Sequence, residues 1–135
     1  MTPFRQVTDQ FSTSPQISEA DVAEAAAQGF VLIINNRPDG EDPAQPPGAA
    51  IEAAAHAAGL DYVAIPVRGG PTHEQVAAVR EAIDQADGPV LAYCRSGTRS
   101  IVTWALGQAQ AGTMEPDQLV TLGAAAGYDL SGLVG

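Results

Sequence analysis

The sequence has no lysine. Its six cationic residues are all arginines, and 16 acidic residues give a formal net charge of −10. A nucleic-acid-binding surface needs clustered Lys and Arg to neutralise phosphates, and anionic membranes attract the same clusters. We therefore expect neither a nucleic-acid partner nor a membrane partner.

Cysteine, histidine and long apolar runs are also scarce. One cysteine cannot form an internal disulfide, so the fold needs no oxidising compartment. No apolar run approaches the roughly 18 residues of a membrane helix, and residues 1–6 show no signal peptide. Two histidines far from the cysteine give no metal-ligand cluster. We predict a cytoplasmic protein with no metal and no cofactor.

The 135 residues favour a single domain over residues 1–135. Three apolar runs typical of strands buried on both faces alternate with segments that carry helix caps. This alternation predicts an α/β fold, a mainly parallel twisted sheet flanked by helices. The predicted strands are residues 30–34, 61–67 and 89–93 after a paired strand region at 4–14, and the predicted helices follow Ser18 and span residues 49–58, 72–87, 100–111 and 116–126.

The only cysteine stands where the third predicted strand ends, and the run from Cys94 to Ser100 leads into a helix. Ligands of open α/β sheets bind at the carboxyl ends of strands. A short loop entering a helix N-terminus points several backbone N–H groups at one spot. Arg95 and Arg99 add positive charge, and Gly97 permits the positive φ of a tight ring. The run predicts an anion-binding loop that stabilises a thiolate.

These residue types indicate covalent group transfer. A thiolate at Cys94 can attack an electrophile and carry a group, while Arg99 binds and orients the anion. The hydroxyl of Ser100 can donate to the thiolate or cap the helix. A buried core cysteine beside unrelated arginines is the structural alternative. The other predicted substrate-binding residues of the loop are Arg95, Ser96, Gly97 and Thr98.

The run C-R-S-G-T-R-S resembles the active-site loop of rhodaneses, C-R-x-G-x-R. It also resembles the loop of protein tyrosine phosphatases, H-C-x-x-G-x-x-R-S, with one residue fewer before the arginine. The stretch from Ile33 to Glu41 is similar to the strand and loop of small dual-specificity phosphatases. From about Phe11 to Leu130 the chain resembles the phosphatase-like domain of bacterial beta-lactamase-hydrolase-like proteins, described both as phosphatase-like and as sulfurtransferases. The resemblance implies a protein tyrosine/dual-specificity phosphatase-like fold and a metallo-beta-lactamase-like hydrolase as functional partner.

Two departures from the phosphatase pattern favour sulfur transfer. Four residues, not five, separate Cys94 from Arg99, and resemblance to rhodaneses implies that this smaller ring suits a cysteine persulfide. Phosphatases of this fold place an aspartate, as general acid, in the loop that here begins at Arg68 and has no carboxylate before Glu74. Losing such an acid lowers a rate roughly 10²–10⁴-fold. We predict a sulfurtransferase whose substrate is a small anion, thiosulfate or a persulfide.

Two other functions stay open. One is a phosphatase that acts on a phosphoester through a phosphocysteine, and the other is a non-catalytic anion-binding or redox-sensing module in which Cys94 reports oxidation. On the Pro-rich loop after the first buried strand, Asp39 or Glu41 could replace the missing acid, and Arg37 could reach the substrate. Local turns and salt bridges that only hold this loop are the structural alternative.

Overall fold

The computed structural model describes residues 3–134. Residues 1, 2 and 135, which include the two ends of the predicted single domain, lie outside the described residues. The strands are β1 (Arg5–Gln6), β2 (Phe11–Ser14), β3 (Leu32–Asn35), β4 (Asp61–Ala64) and β5 (Val90–Tyr93). The helices are α1 (Glu19–Ala27), α2 (Gly48–Ala57), α3 (His73–Gln85), α4 (Thr98–Ala111), α5 (Pro116–Ala125) and α6 (Ser131–Val134).

The strands form one sheet in the order β1-β2-β5-β3-β4. β1 runs antiparallel to β2, and every other pair of neighbours is parallel. Tyr93, the last residue of β5, lies beside Ser14 of β2 and Asn35 of β3. Asn35 lies in turn beside Ala64 of β4. The carboxyl ends of four parallel strands therefore meet at one edge of the sheet, where open α/β sheets bind ligands.

Helices cover both faces of this sheet. β3 and β5 are buried along their whole length, and successive side chains of a strand point to opposite faces. On one face, Val22 of α1 and Ile51 of α2 join Ile33 of β3 in an apolar core. On the other face, Trp104 of α4 stacks on Phe11 of β2 with ring centroids 5.1 Å apart. The predicted α/β fold, with a mainly parallel sheet flanked by helices, is confirmed.

Local capping signals mark the helix ends as predicted. The Ser18 hydroxyl accepts a hydrogen bond from the Asp21 N–H at the start of α1, and the Thr72 hydroxyl accepts one from the Gln75 N–H at the start of α3. Gly29 follows α1 with φ of 95°, a conformation that glycine adopts without strain. Residues within one turn therefore determine where α1 begins and ends and where α3 begins.

Several predicted boundaries are wrong by a few residues, and two of them border the site. The strand predicted over residues 61–67 is β4, which ends at Ala64 and lies at the sheet edge with both its ends exposed, so it is not buried on both faces. α4 begins at Thr98 rather than at residue 100, because Gly97, with φ of 93°, is its N-cap. Arg99 consequently lies in the first turn of α4. Within residues 3–134, no helix combines the length and apolar character needed to cross a membrane.

Candidate active site

Cys94 directly follows β5 and is completely buried. Its backbone N–H donates to the Ser14 carbonyl oxygen of β2 at 3.3 Å, which extends the parallel pairing by one residue. The chain then turns back at Gly97, whose N–H donates to Cys94 Sγ at 3.1 Å. The positive φ of Gly97 closes this ring. The sulfur therefore accepts a hydrogen bond from the backbone of its own loop.

Three consecutive carbonyl groups of the loop are bound from outside it. In a trans peptide, the C=O and the following N–H point in opposite directions. The N–H that follows the Ser96 carbonyl, on Gly97, accordingly points at the sulfur. The N–H that follows the Gly97 carbonyl, on Thr98, donates to Ser96 Oγ at 3.4 Å. Inward N–H groups form the kind of concave site that binds anions. The three donors are the Gln16 N–H to Arg95 O at 3.3 Å, the Tyr128 hydroxyl to Ser96 O at 3.0 Å and the Thr13 hydroxyl to Gly97 O at 3.0 Å.

Arg99 forms a two-pronged ion pair with Glu41 of the Pro-rich loop. Its Nη1 lies 2.7 Å from Glu41 Oε2 and its Nη2 lies 2.8 Å from Oε1. Nη1 also donates to the Val67 carbonyl oxygen at 2.8 Å. The hydrogen bonds to Glu41 raise the pKa of Arg99, and the sulfur of Cys94 acts in the same direction. The hydrogen bonds of Arg99 to Glu41 and Val67 use only Nη1 and Nη2.

Two arginines keep Glu41 ionised. Besides the pair with Arg99, Arg37 Nε donates to Glu41 Oε1 at 3.0 Å. The hydrogen bonds from Arg99 are the largest cause that lowers the pKa of Glu41 from 4.5 to about 2, and Arg37 adds to them against an opposing effect of burial. A carboxyl group with this pKa carries no proton near neutral pH. The structure therefore contradicts the hypothesis that Glu41 replaces the missing general acid.

Arg37 and Asp39 make contacts that hold the Pro-rich loop in place. Arg37 is 5% exposed, and its Nη1 donates to Gln16 Oε1 at 3.0 Å. Asp39 Oδ1 accepts a hydrogen bond from the Gly48 N–H at the start of α2 at 2.8 Å. Both line a cavity of about 460 Å³ whose lining does not include Cys94. Their partners fit the structural alternative, and their role in substrate binding stays a prediction.

The remaining predicted residues divide between the rim and the interior. Arg95, Ser96 and Thr98 are exposed at the rim, where the Ser96 hydroxyl donates to Thr98 Oγ1 at 3.0 Å. Ser100 lies inside α4 and is completely buried, so the alternative that it caps the helix is wrong. Its hydroxyl has no hydrogen-bond partner within the described residues. Donation to a thiolate at Cys94 would satisfy that buried hydroxyl, and it stays a prediction.

Three residues that shape the loop carry no motif in the sequence. Thr13 lies in β2 and Gln16 two residues beyond its end, and only the pairing of β2 with β5 brings them to the loop. Tyr128 lies on the connection between α5 and α6. The predicted strand pattern would have located the first two residues once the strand order was known. No local signal points to Tyr128.

Comparisons with known proteins agree with this architecture. The family model described as the phosphatase-like domain of beta-lactamase hydrolase-like protein matches residues 3–111. The beta-lactamase hydrolase-like protein of Agrobacterium fabrum strain C58 is 38% identical over 126 residues, which are 93% of this chain. The same match is 29% of that relative, so the chain spans less than a third of its length.

Two crystal structures extend the comparison to the fold. A protein from Neisseria meningitidis Z2491, described as a candidate phosphatase, matches with a TM-score of 0.87 and 34% identity, covering 98% of this chain and 94% of that one. Kinase-associated phosphatase, with its catalytic-site cysteine replaced by serine, matches with a TM-score of 0.71 and covers 97% of this chain and 88% of that one. At 14% identity the second match shows the fold alone. The predicted fold of protein tyrosine and dual-specificity phosphatases is confirmed.

Proposed function

Because the chain belongs to the family of phosphatase-like domains of beta-lactamase hydrolase-like proteins, we propose that it is a cysteine-dependent phosphatase. The observation that carries this proposal is the buried Sγ of Cys94, held by the N–H of Gly97 at 3.1 Å next to the helix turn that carries Arg99. The phosphatase-like relatives favour a phosphoryl group over sulfane sulfur. Sulfur transfer, the function favoured by the sequence, is therefore the second candidate.

The proposed reaction has two displacement steps. The Cys94 thiolate attacks the phosphorus of a phosphoester, so that an S–P bond forms while the P–O bond breaks and its electron pair leaves with the oxygen. The loop N–H groups and Arg99 bind the non-bridging oxygens and stabilise their charge. Water then attacks the phosphocysteine and the S–P bond breaks. This step releases inorganic phosphate, passes the proton of water to the phosphate and restores the thiolate.

Glu41 acts in this reaction as a positioning residue. It occupies Nη1 and Nη2 of Arg99 at 2.7 and 2.8 Å, and Val67 O accepts a further hydrogen bond from Nη1. These contacts fix the guanidinium plane before a substrate arrives, so less conformational freedom is lost on binding. Nε is left to face a phosphoryl oxygen.

The chemistry of the site selects the leaving group. Residues 66–72 contain no carboxylic acid, and Glu41, with a pKa of about 2, has no proton to donate. Asp39 accepts a hydrogen bond from the Gly48 N–H and lines a cavity whose lining does not include Cys94. A leaving oxygen that is stable as an anion does not need a proton donor. We therefore propose aryl phosphates, whose leaving group is a phenolate, as the substrate class, in preference to alkyl phosphates.

Steady-state hydrolysis of aryl phosphates whose phenols differ in acidity tests the proposal. We expect rates to rise steeply with the acidity of the phenol, and Cys94→Ser to lose about 10⁴-fold or more in turnover while still binding inorganic phosphate. An acid-quenched sample of the wild type is expected to carry one phosphoryl group on Cys94. Turnover that survives in Cys94→Ser would overturn the proposal, and equal rates on alkyl phosphates would contradict the substrate class.

Sulfur transfer is kept as a second candidate because the short ring favours it. In that reaction, Sγ of Cys94 attacks the outer sulfur of thiosulfate. A new S–S bond forms, the old one breaks, and sulfite leaves with the electron pair as a stable anion that needs no acid. Intact-protein mass after incubation with thiosulfate separates the candidates. A gain of one sulfur atom, discharged by cyanide and absent in Cys94→Ser, would assign sulfur transfer. If Cys94 carries neither a sulfur atom nor a phosphoryl group after these incubations, the remaining function is an anion-binding or redox-sensing module.

Location and partner follow from the same proposal. Cys94 must stay reduced to act as a nucleophile, which supports a cytoplasmic location. The chain matches 29% of its curated relative, which supports a functional partner, the metallo-beta-lactamase-like hydrolase. Subcellular fractionation tests the location, and co-purification of such a hydrolase with the tagged chain tests the partner. The single domain over residues 1–135 also stays a prediction.

A further inference from the structure

We propose that Tyr128 is a positioning residue for Cys94 and acts through the peptide between Ser96 and Gly97. The Tyr128 hydroxyl donates to the Ser96 carbonyl oxygen at 3.0 Å. The N–H of the same peptide, on Gly97, donates to Cys94 Sγ at 3.1 Å. The inference rests on the proposed nucleophilic role of Cys94, and it holds for phosphoryl and for sulfur transfer alike.

The C=O and the N–H of the peptide between Ser96 and Gly97 each form one of these two hydrogen bonds. This peptide is trans, as are all others in residues 3–134, so its C=O and N–H point in opposite directions. By holding the Ser96 oxygen outward, Tyr128 directs the Gly97 N–H at the sulfur. A hydrogen bond to a charged acceptor is roughly twice as strong as one to a neutral acceptor. The hydrogen bond that Tyr128 holds in place is therefore stronger when the acceptor is a Cys94 thiolate than when it is a neutral thiol.

Tyr128 is itself held from two sides. The guanidinium carbon of Arg5 lies 5.3 Å from the centroid of the Tyr128 ring, within the range of a cation–π contact. Arg5 Nη1 also donates to the Ala126 carbonyl oxygen at 3.3 Å, and the Tyr128 N–H donates to Gly123 O at 2.8 Å. Burial raises the pKa of Tyr128, so its hydroxyl keeps the donated proton near neutral pH. The donor is thus anchored and protonated.

Gly97 and Tyr128 fit each other sterically. A Cβ atom on residue 97 would overlap the Tyr128 hydroxyl, so the space occupied by the phenol exists only because residue 97 is glycine. Tyr128 lies beyond residues 3–111, which are the part matched by the family model. The contact therefore comes from a C-terminal segment of this chain that the family model does not cover.

The pH dependence of Cys94 alkylation by iodoacetamide in Tyr128→Phe tests the inference. This variant removes the hydroxyl and keeps the ring. We expect alkylation near neutral pH to slow about three- to tenfold, the value of one hydrogen bond, and the pH profile to move to higher pH. The plateau at high pH reports access to the sulfur and is expected to stay unchanged. Thermal melting checks that the variant is folded.

Tyr62→Phe is the matched control. Tyr62 is also partly buried, and its hydroxyl accepts from Asn35 Nδ2 at 2.9 Å rather than binding the Cys94 loop. We expect its alkylation profile to equal that of the wild type. The amide proton shift of Gly97, followed by NMR against pH, gives a second measurement and is expected to move less in Tyr128→Phe.

The outcomes separate this inference from the proposed function. Tyr128→Phe could match the wild type both in the pH dependence of Cys94 alkylation and in the pH dependence of the Gly97 amide proton shift. That result would overturn the inference even if Cys94 is the nucleophile. A wild-type protein that alkylates with the expected profile but turns over no phosphoester would overturn the phosphatase. That second result would leave the role of Tyr128 standing.

Discussion

Two loops at the same sheet edge form the site by different means. The cysteine loop (residues 94–97) follows β5 directly and uses its backbone, with outward carbonyls and an N–H on Cys94 Sγ. The Pro-rich loop, here called the proline loop (residues 36–47), follows β3 and contains four prolines. It contributes to the site through side chains, chiefly that of Glu41. The two loops are connected through Arg99, which lies in the first turn of α4 directly after the cysteine loop and binds Glu41.

This difference separates two kinds of contribution to anion binding. Backbone donors persist through most substitutions, because every non-proline residue carries an N–H, and only a change of backbone shape removes them. A side-chain ion pair depends on one residue and is sensitive to pH. We therefore expect changes in the cysteine loop to act through backbone geometry, and changes in the proline loop to act through the orientation of Arg99.

After Cys94→Ser, the largest expected effect is that of Arg99→Lys, which changes the residue that binds Glu41 of the proline loop. Lysine keeps the charge but loses the planar fork that binds Glu41 through two nitrogens. We expect kcat/KM for an aryl phosphate to fall roughly 10²–10³-fold. Arg95→Lys makes the same exchange at the exposed rim and is expected to change kcat/KM little. Equal effects of the two variants would show that charge alone matters.

The variants Gly97→Ala, in the cysteine loop, and Gly40→Ala, in the proline loop, compare how much each loop backbone depends on glycine. Both glycines have positive φ, 93° and 80°, but a Cβ on residue 97 would overlap Tyr128 whereas one on residue 40 meets open space. We expect Gly40→Ala to lower the free energy of unfolding by about 1 kcal/mol and Gly97→Ala by roughly 2–3 kcal/mol. Urea denaturation measures both. Equal losses would argue against a crowded cysteine loop.

Glu41→Gln tests the contribution of the proline loop. The variant keeps the shape of the side chain but loses the ion pair with Arg99 and Arg37. We expect kcat/KM to fall about tenfold, because Arg99 is no longer held in place. Kinetics with an aryl phosphate measure the change. A faster variant would mean that Glu41 competes with the substrate for Arg99 instead of positioning it.

The same variant has a predicted pH dependence. Glu41 has a lowered pKa in the folded state, about 2 against 4.5, so its stabilising contribution is present above pH 4.5 and is lost as the pH falls toward 2. We expect the free energy of unfolding of the wild type to fall more steeply over this range than that of Glu41→Gln. Denaturation at several pH values checks it, and parallel curves would contradict the ion pair.

Arg95→Ala has the smallest expected effect. Arg95 is exposed, and within residues 3–134 its side chain forms no salt bridge, so it contributes through long-range attraction of the anion. We expect KM to rise about two- to threefold at low ionic strength, with little difference at high salt because of screening. An effect that persists in high salt would indicate direct contact with the substrate.

Much of the fold was predictable because it depends on short-range patterns. The apolar runs located β3 and β5, and Ser18 and Thr72 located two helix starts. β4 was predicted too long and too buried, since hydrophobic pattern alone does not distinguish a central strand from an edge strand. In the site, Gly97 has the positive φ that the sequence predicted, and its N–H reaches Cys94 Sγ because the two residues are close along the chain. Anion binding by this loop stays a prediction.

The sequence by itself determined the α/β alternation, the helix caps and the cysteine loop at a strand end, because each depends on residues that are close along the chain. Only the tertiary structure decided that Glu41 binds Arg99 across 58 residues and that Tyr128 holds Ser96 across 32. The physical reason is that such contacts follow from strand order and from how helices return to the sheet. Local periodicity and capping do not encode either property.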